Sequence, residues 1–202
     1  MHITPIQEVI PESNIVVFAP HFDDFLFMLG GYVLELKKKK LLDTKQFHIL
    51  ILFGRSNYLA GTGEGNRDTG IDRIKLATGK RLMEDLSCID ELLGEFNYKY
   101  EIVAERECFA RSKAQADSEM EFPHGMYEDF DALDEQIFKR MQLRVESWAV
   151  QKDTALVFPL AIIPTEFINS HYLRSEISMS LVNKYHFYTY LHSLLSIHLW
   201  PT

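Results

Sequence analysis

A chain of 202 residues, 47% hydrophobic and 25% charged, has the make-up of a globular domain long enough to bury a sizeable core. Its net charge of −8 excludes a nucleic-acid backbone as the main partner, because neutralising phosphates takes a basic face. Cys88 and Cys108, the only cysteines, are too few for a disulfide framework and read as small apolar residues in a reduced compartment.

The opening residues, MHITPIQEVIPESN, lack a basic stretch followed by an apolar core, so no signal peptide is expected. No apolar run nears the roughly 20 residues of a membrane span, and the expected location is cytoplasmic. NIVVFAP (14–20) is a short β-branched apolar run, the pattern of a strand buried on both faces. DDFLFMLGGYVLELKKKK (23–40) has helical length, with Phe25, Met28, Leu29, Tyr32, Val33 and Leu36 at helical spacing. FHILILF (47–53) reads as a second buried strand, 54–70 as a long turn-rich loop, and 72–94 as a helix stopped by Gly94. A third strand is expected at 98–104, a polar loop over 105–128, and a helix over 130–150 with Leu133, Ile137, Met141 and Trp148 facing the core. Strands at 154–160 and 186–191 flank a helix at 170–185. Strands alternating with helices imply βαβ units, right-handed crossovers and an α/β, mostly parallel sheet with helices on both faces. No repeat or linker divides the chain, which is expected to form one domain over 1–202.

In such sheets ligands bind outside the carboxyl ends of the strands. Residues just after a strand are therefore site candidates: 20–24, 54–70 and the stretch after Leu160. His21 and Asp24 stand three apart at the first strand-to-helix junction. Imidazole and carboxylate together suit zinc or another divalent ion, and Asp23 between them is placed to take a proton from a water on that ion. The plain alternative makes Asp23 or Asp24 a helix N-cap and His21 a loop residue. A catalytic zinc takes three protein ligands, and His171, opening the helix after the fourth strand, is the best third. His48 falls inside a strand and reads as packed, while His124 lies in the polar loop.

APHFDDFLFMLGGYVLEL (19–36) resembles the opening motif of the LmbE/PIG-L family of metal-dependent deacetylases, through His21, Asp23, Asp24, Gly30 and Gly31. RLMEDLSCIDELLG (81–94) is similar to that family's Arg-x-x-Glu helix through Arg81, Glu84, Leu93 and Gly94. The segment from VFPLAI to FINSHYLRSEI is similar to the one carrying its His-x-Asp-His motif, with His171 at the last histidine. The resemblance implies a Rossmann-like fold and removal of acetyl groups from N-acetylglucosamine-type amines. It also implies zinc ligands at His21, Asp24 and His171, with Asp23 as general base. Four positions depart from the pattern: Phe22 replaces a proline, Phe25 a glutamate, Ile168 a histidine and Ser170 an aspartate. Loss of a transition-state donor can cost on the order of a hundredfold in rate.

Two features have simpler readings. GTGEGNR (61–67) is not a dinucleotide fingerprint, since Asn66 holds the last glycine's place and the stretch sits in a long loop. KKKK (37–40) suits the negative end of a helix rather than a membrane or nucleic acid. Arg55, following the second strand, is expected on the rim that meets substrate. The aromatic stretch 185–200 can pack against the body or against a second copy of the chain in a homo-oligomer. The leading expectation is a zinc-dependent deacetylase acting on a small amino sugar or related amide. The rivals are a non-catalytic metal- or sugar-binding protein of the same fold, and a metal-free scaffold.

Overall fold

The computed structural model describes residues 5–61, 68–95, 97–107, 110, 132–159 and 187–189. Five strands form one sheet: β1 (Asn14–Ala19), β2 (Gln46–Ile51), β3 (Tyr98–Ile102), β4 (Thr154–Phe158) and β5 (Phe187–Thr189). Their spatial order is β3-β2-β1-β4-β5, and every pairing is parallel. The register sets Ile15 beside Phe47 and Ala155, and Val17 beside Ile49 and Val157. The central strand reads as an unbroken apolar run because both of its faces are covered. Ile15, Val17 and Ala19 enter one core cluster, and Val16 and Phe18 the other.

The helices are α1 (Ile6–Val9), α2 (Asp24–Lys38), α3 (Ile71–Leu93) and α4 (Ala132–Ala149), with a 3-10 turn at Leu42–Thr44. Phe25, Leu29, Tyr32, Val33 and Leu36 of α2 are buried. Each such side chain contributes about 1.5–3 kcal/mol relative to exposure. Ile89 and Leu93 of α3 join them on the same face. Val145 and Ala149 of α4 cover the opposite face against Val16, Phe18 and Leu50. Chain direction explains the split. The steps β1 to β2 to β3 run one way across the sheet and the return from β3 to β4 runs the other, so right-handed crossovers put α4 on the far face. The fold is thus α/β, with a parallel sheet and helices on both sides, as expected.

The ends differ from expectation in detail. β2 leaves the ladder at Ile51, but the amides of Leu52 and Phe53 still donate to the carbonyls of Ala19 and Pro20, at 2.9 and 2.8 Å. β3 stops at Ile102 and β4 at Phe158. The four-residue helix α1 and the 3-10 turn are too short for a periodic signal. α3 stops where expected: Gly94 has φ 86°, a conformation glycine adopts freely, and its amide closes on the carbonyl of Asp90 at 2.8 Å. Lys37 donates to the carbonyl of Glu91 in the last turn of α3, and Lys38 and Lys39 lie near Glu35. Cys88, expected as apolar filler, is instead exposed on α3, off the side of the helix that buries Asp85 and Ile89. No helix among the described residues is long and apolar enough to cross a membrane.

Candidate functional site

β1 lies at the centre of the sheet, where the connections diverge to opposite faces. The crevice outside its carboxyl end is where doubly wound sheets bind ligands. Pro20 to Asp24 occupy that position. Asp23 has φ 79°, in the left-handed region, and forms the turn that feeds α2. Such a conformation in a non-glycine residue costs about 1–3 kcal/mol and is held only by its surroundings. Here the holder is Asp85, nearly buried on α3, whose Oδ1 accepts the Asp23 amide at 3.1 Å while its Oδ2 accepts the Tyr100 hydroxyl at 2.5 Å.

Asp24 opens α2. Its Oδ2 accepts the His21 amide at 2.7 Å and lies 3.3 Å from His21 Nδ1. Two donors each about 2.0–2.1 Å from a tetrahedral ion stand roughly 3.3–3.4 Å apart. The imidazole and carboxylate are thus spaced to share a divalent ion. They stand at the N-terminus of α2. The Asp23 side chain makes no capping bond and is 57% exposed, so its place at the N-cap position is not a capping role. Burial and the Asp24 charge push its carboxyl above the usual range, against the pull of Arg81 and His21. Desolvation likewise raises Asp85, opposed by its bonds from Tyr100 and from the Asp23 amide. Burial and Asp85 hold the Tyr100 hydroxyl far above its ordinary value, so it remains a donor.

Behind Asp23 stands a second charged group. Arg81 Nη1 meets Glu107 Oε1 at 2.5 Å and Ser56 Oγ at 2.9 Å, and Nη2 reaches the Phe22 carbonyl at 3.4 Å and Asp23 Oδ1 at 3.9 Å. Ser56 Oγ donates in turn to Glu107 Oε2 at 2.5 Å. The guanidinium carbon lies 5.5 Å from the Phe22 ring centroid and 6.0 Å from that of Tyr58. Phe22 therefore floors Arg81, and it shares one core cluster with Phe25, which stands edge-on to Phe47.

Of the residues expected from sequence, His21, Asp23 and Asp24 come together, and Arg55 lies exposed past β2. His171, Ile168, Ser170 and His124 lie outside the described residues, as do the helix at 170–185, most of GTGEGNR and most of the aromatic stretch. Among the described residues no group of three metal-ligating side chains occurs; His21 and Asp24 are two donors of a set that needs another. Within the Arg-x-x-Glu stretch, Arg81 reaches the site but Glu84 is exposed. The acid one residue on, Asp85, faces inward with Arg81 because the two are one turn apart. That spacing was readable in sequence. Nothing marked Ser56, Tyr100 or Glu107.

No family model matches the chain, and no curated protein matches it. Among solved structures it is similar to a deacetylase of the teicoplanin biosynthesis pathway, in complexes with teicoplanin and with bog. Both alignments have TM-score 0.49 and 13% identity over 81% of this chain. The chain spans 66% and 63% of the lengths of those two chains. The likeness carries no residue roles across.

Proposed function

We propose that this chain is a metal-dependent hydrolase that removes the acetyl group from an N-acetylated amino sugar or related amide. The observation that carries the reading is the 3.3 Å spacing of His21 Nδ1 and Asp24 Oδ2 at the carboxyl end of β1, with the Asp23 carboxylate beside it. His21, Asp24 and His171 would hold zinc or another divalent ion, which would supply Lewis acidity to the acyl carbonyl and make water more acidic. Asp23 accepts the proton of the attacking water and returns one to the leaving amine. Arg81 and Asp85 fix where the carboxylate and its backbone stand, and Arg55 meets the substrate on the rim.

Ile168 and Ser170, in place of the histidine and aspartate of the resembled motif, favour a second reading, a metal- or sugar-binding protein without turnover. Two measurements separate the readings. Protein purified without added zinc is analysed for metal: about one ion per chain, lost in His171→Ala, is expected, and no bound metal near neutral pH refutes the centre. Acetate release is then followed over a panel of N-acetyl sugars. Asp23→Asn is expected to lower it by about 10²–10⁴-fold; activity that survives removes Asp23 as the base.

A further inference from the structure

Past the carboxyl end of β2 the chain forms a turn that is tied down at almost every residue. The Ser56 amide donates to Thr78 Oγ1 at 3.0 Å, the Asn57 carbonyl accepts from Arg73 Nε at 2.8 Å, and Asn57 Nδ2 donates to the carbonyl of Asp68 at 3.3 Å. The Tyr58 amide donates to Ser56 Oγ at 3.0 Å. Ser56, Asn57 and Leu59 are buried, yet Tyr58 between them is 43% exposed. One aromatic side chain is thus offered to solvent from a fixed backbone. Loops held on a rigid scaffold are where binding groups stand. A tyrosine on such a backbone gives a large contact area and loses little freedom when a ligand settles on it.

Tyr58 also stands at the candidate centre. Arg81 Cζ lies 6.0 Å from the Tyr58 ring centroid, and Arg81 Nη2 lies 3.9 Å from Asp23 Oδ1. One guanidinium therefore neighbours both the ring and the proposed base. Phe22, whose ring centroid is 5.5 Å from the same carbon, is buried, so of these two rings Tyr58 is the one open to a ligand. Its hydroxyl bonds to none of the described residues. A pyranose ring matches such a surface. It carries hydroxyls round its rim and C–H groups on its faces, and a C–H face packs on the electron-rich face of an aromatic ring. The phenol hydroxyl stays available to a hydroxyl on the sugar's rim. We propose that Tyr58 is a specificity-determining residue, the platform on which the substrate's sugar ring rests while its acetamido group reaches Asp23. The proposal rests on the deacetylase reading above for the acetamido end of the substrate.

Calorimetric titration of the full chain with zinc supplied, carrying Asp23→Asn so that bound sugar persists, tests it. The probes are N-acetylglucosamine and N-acetylethanolamine, an open-chain amide with the same acetamido group. The sugar is expected to bind more tightly than the open-chain amide. Tyr58→Ala is expected to weaken the sugar by about three- to tenfold and to leave the open-chain amide within about twofold. Tyr58→Phe and Tyr58→Trp keep a ring and are expected to keep most of the sugar affinity. Circular dichroism checks that each variant folds, and Tyr58→Leu, which keeps apolar bulk without a flat ring, replaces Tyr58→Ala if that variant does not. Equal affinity for the two probes, sugar affinity untouched by Tyr58→Ala, equal losses for both probes, a Tyr58→Phe as weak as Tyr58→Ala, or a parent that binds neither probe overturns the platform. Acetate release is measured with Asp23 intact and scored separately. Release from the sugar with a KM untouched by Tyr58→Ala overturns the platform and keeps the deacetylase reading. Tyr58-dependent sugar binding without release does the reverse.

Discussion

Replacing Arg81 by methionine keeps most of the apolar stem over Phe22 and removes the charge. Glu107, whose side chain is 2% exposed, then loses the Arg81 guanidinium at 2.5 Å and retains the Ser56 hydroxyl at 2.5 Å. Breaking a buried ion pair from one side costs about 3–5 kcal/mol, because the remaining charge stays desolvated. The surviving Ser56 bond places the expected loss near the lower end, about 3 kcal/mol. For a chain of this length that corresponds to a melting temperature lower by roughly 6–12 °C. The double variant Arg81→Met/Glu107→Met removes both charges at similar volume. The buried unpaired carboxylate is then gone, and the double should be more stable than the single by about 1.5 kcal/mol or more. Urea unfolding followed by circular dichroism, compared at constant slope, measures all three proteins. A loss below about 1 kcal/mol in the single, or a double no more stable than the single, refutes the claim that Glu107 depends on Arg81.

Three further outcomes are expected. Tyr100→Phe deletes the hydroxyl donated to Asp85 Oδ2 and should cost about 1–3 kcal/mol in urea unfolding, since Asp85 is nearly buried; a loss within about 0.3 kcal/mol would count against that bond. Gly54→Ala drives a Cβ against Ile102 and should cost about 1–3 kcal/mol, while an unaltered midpoint would show that β3 yields there. His48 gives a pH test: its ring lies edge-on to Trp148 at 4.5 Å, and its Nε2 is 3.5 Å from a Glu101 that Arg144 already engages. Burial, then Lys99 and Arg144, hold its imidazole below the usual value. The unfolded chain therefore binds the proton first, near pH 6.5, and stability falls as pH drops through 6.5 towards the lowered folded value. His48→Phe should lose less stability than the parent between pH 7.5 and 5.5; equal losses would refute this.

The frame was legible because its elements carry strong periodic signals. The unbroken run 14–20 and the stripe from Phe25 to Leu36 each have one packing solution, and Gly94 ends α3 as its type requires. His21, Asp23 and Asp24 were legible as a candidate site because they interrupt apolar sequence at a strand's carboxyl end. What stayed hidden are partners that meet only through the tertiary fold. Ser56, Asp85, Tyr100 and Glu107 come from two loops, a helix and a strand, and no spacing along the chain brings their polar atoms together. Phe22 and Phe25, which replace the proline and glutamate of the resembled motif, both enter one core cluster, and Phe22 also lies against the Arg81 guanidinium.

Position 23 is where folding and the proposed chemistry ask for different residues. The left-handed turn suits glycine best and asparagine next, while the proposed proton transfer asks for a carboxylate. Asparagine thus preserves the turn and removes the proposed base, so an Asp23→Asn protein should unfold at or above the parent's urea midpoint. Aspartate there is a standing cost in backbone conformation, and Asp85, through one bond to the amide, keeps that cost from being relieved by moving the side chain elsewhere.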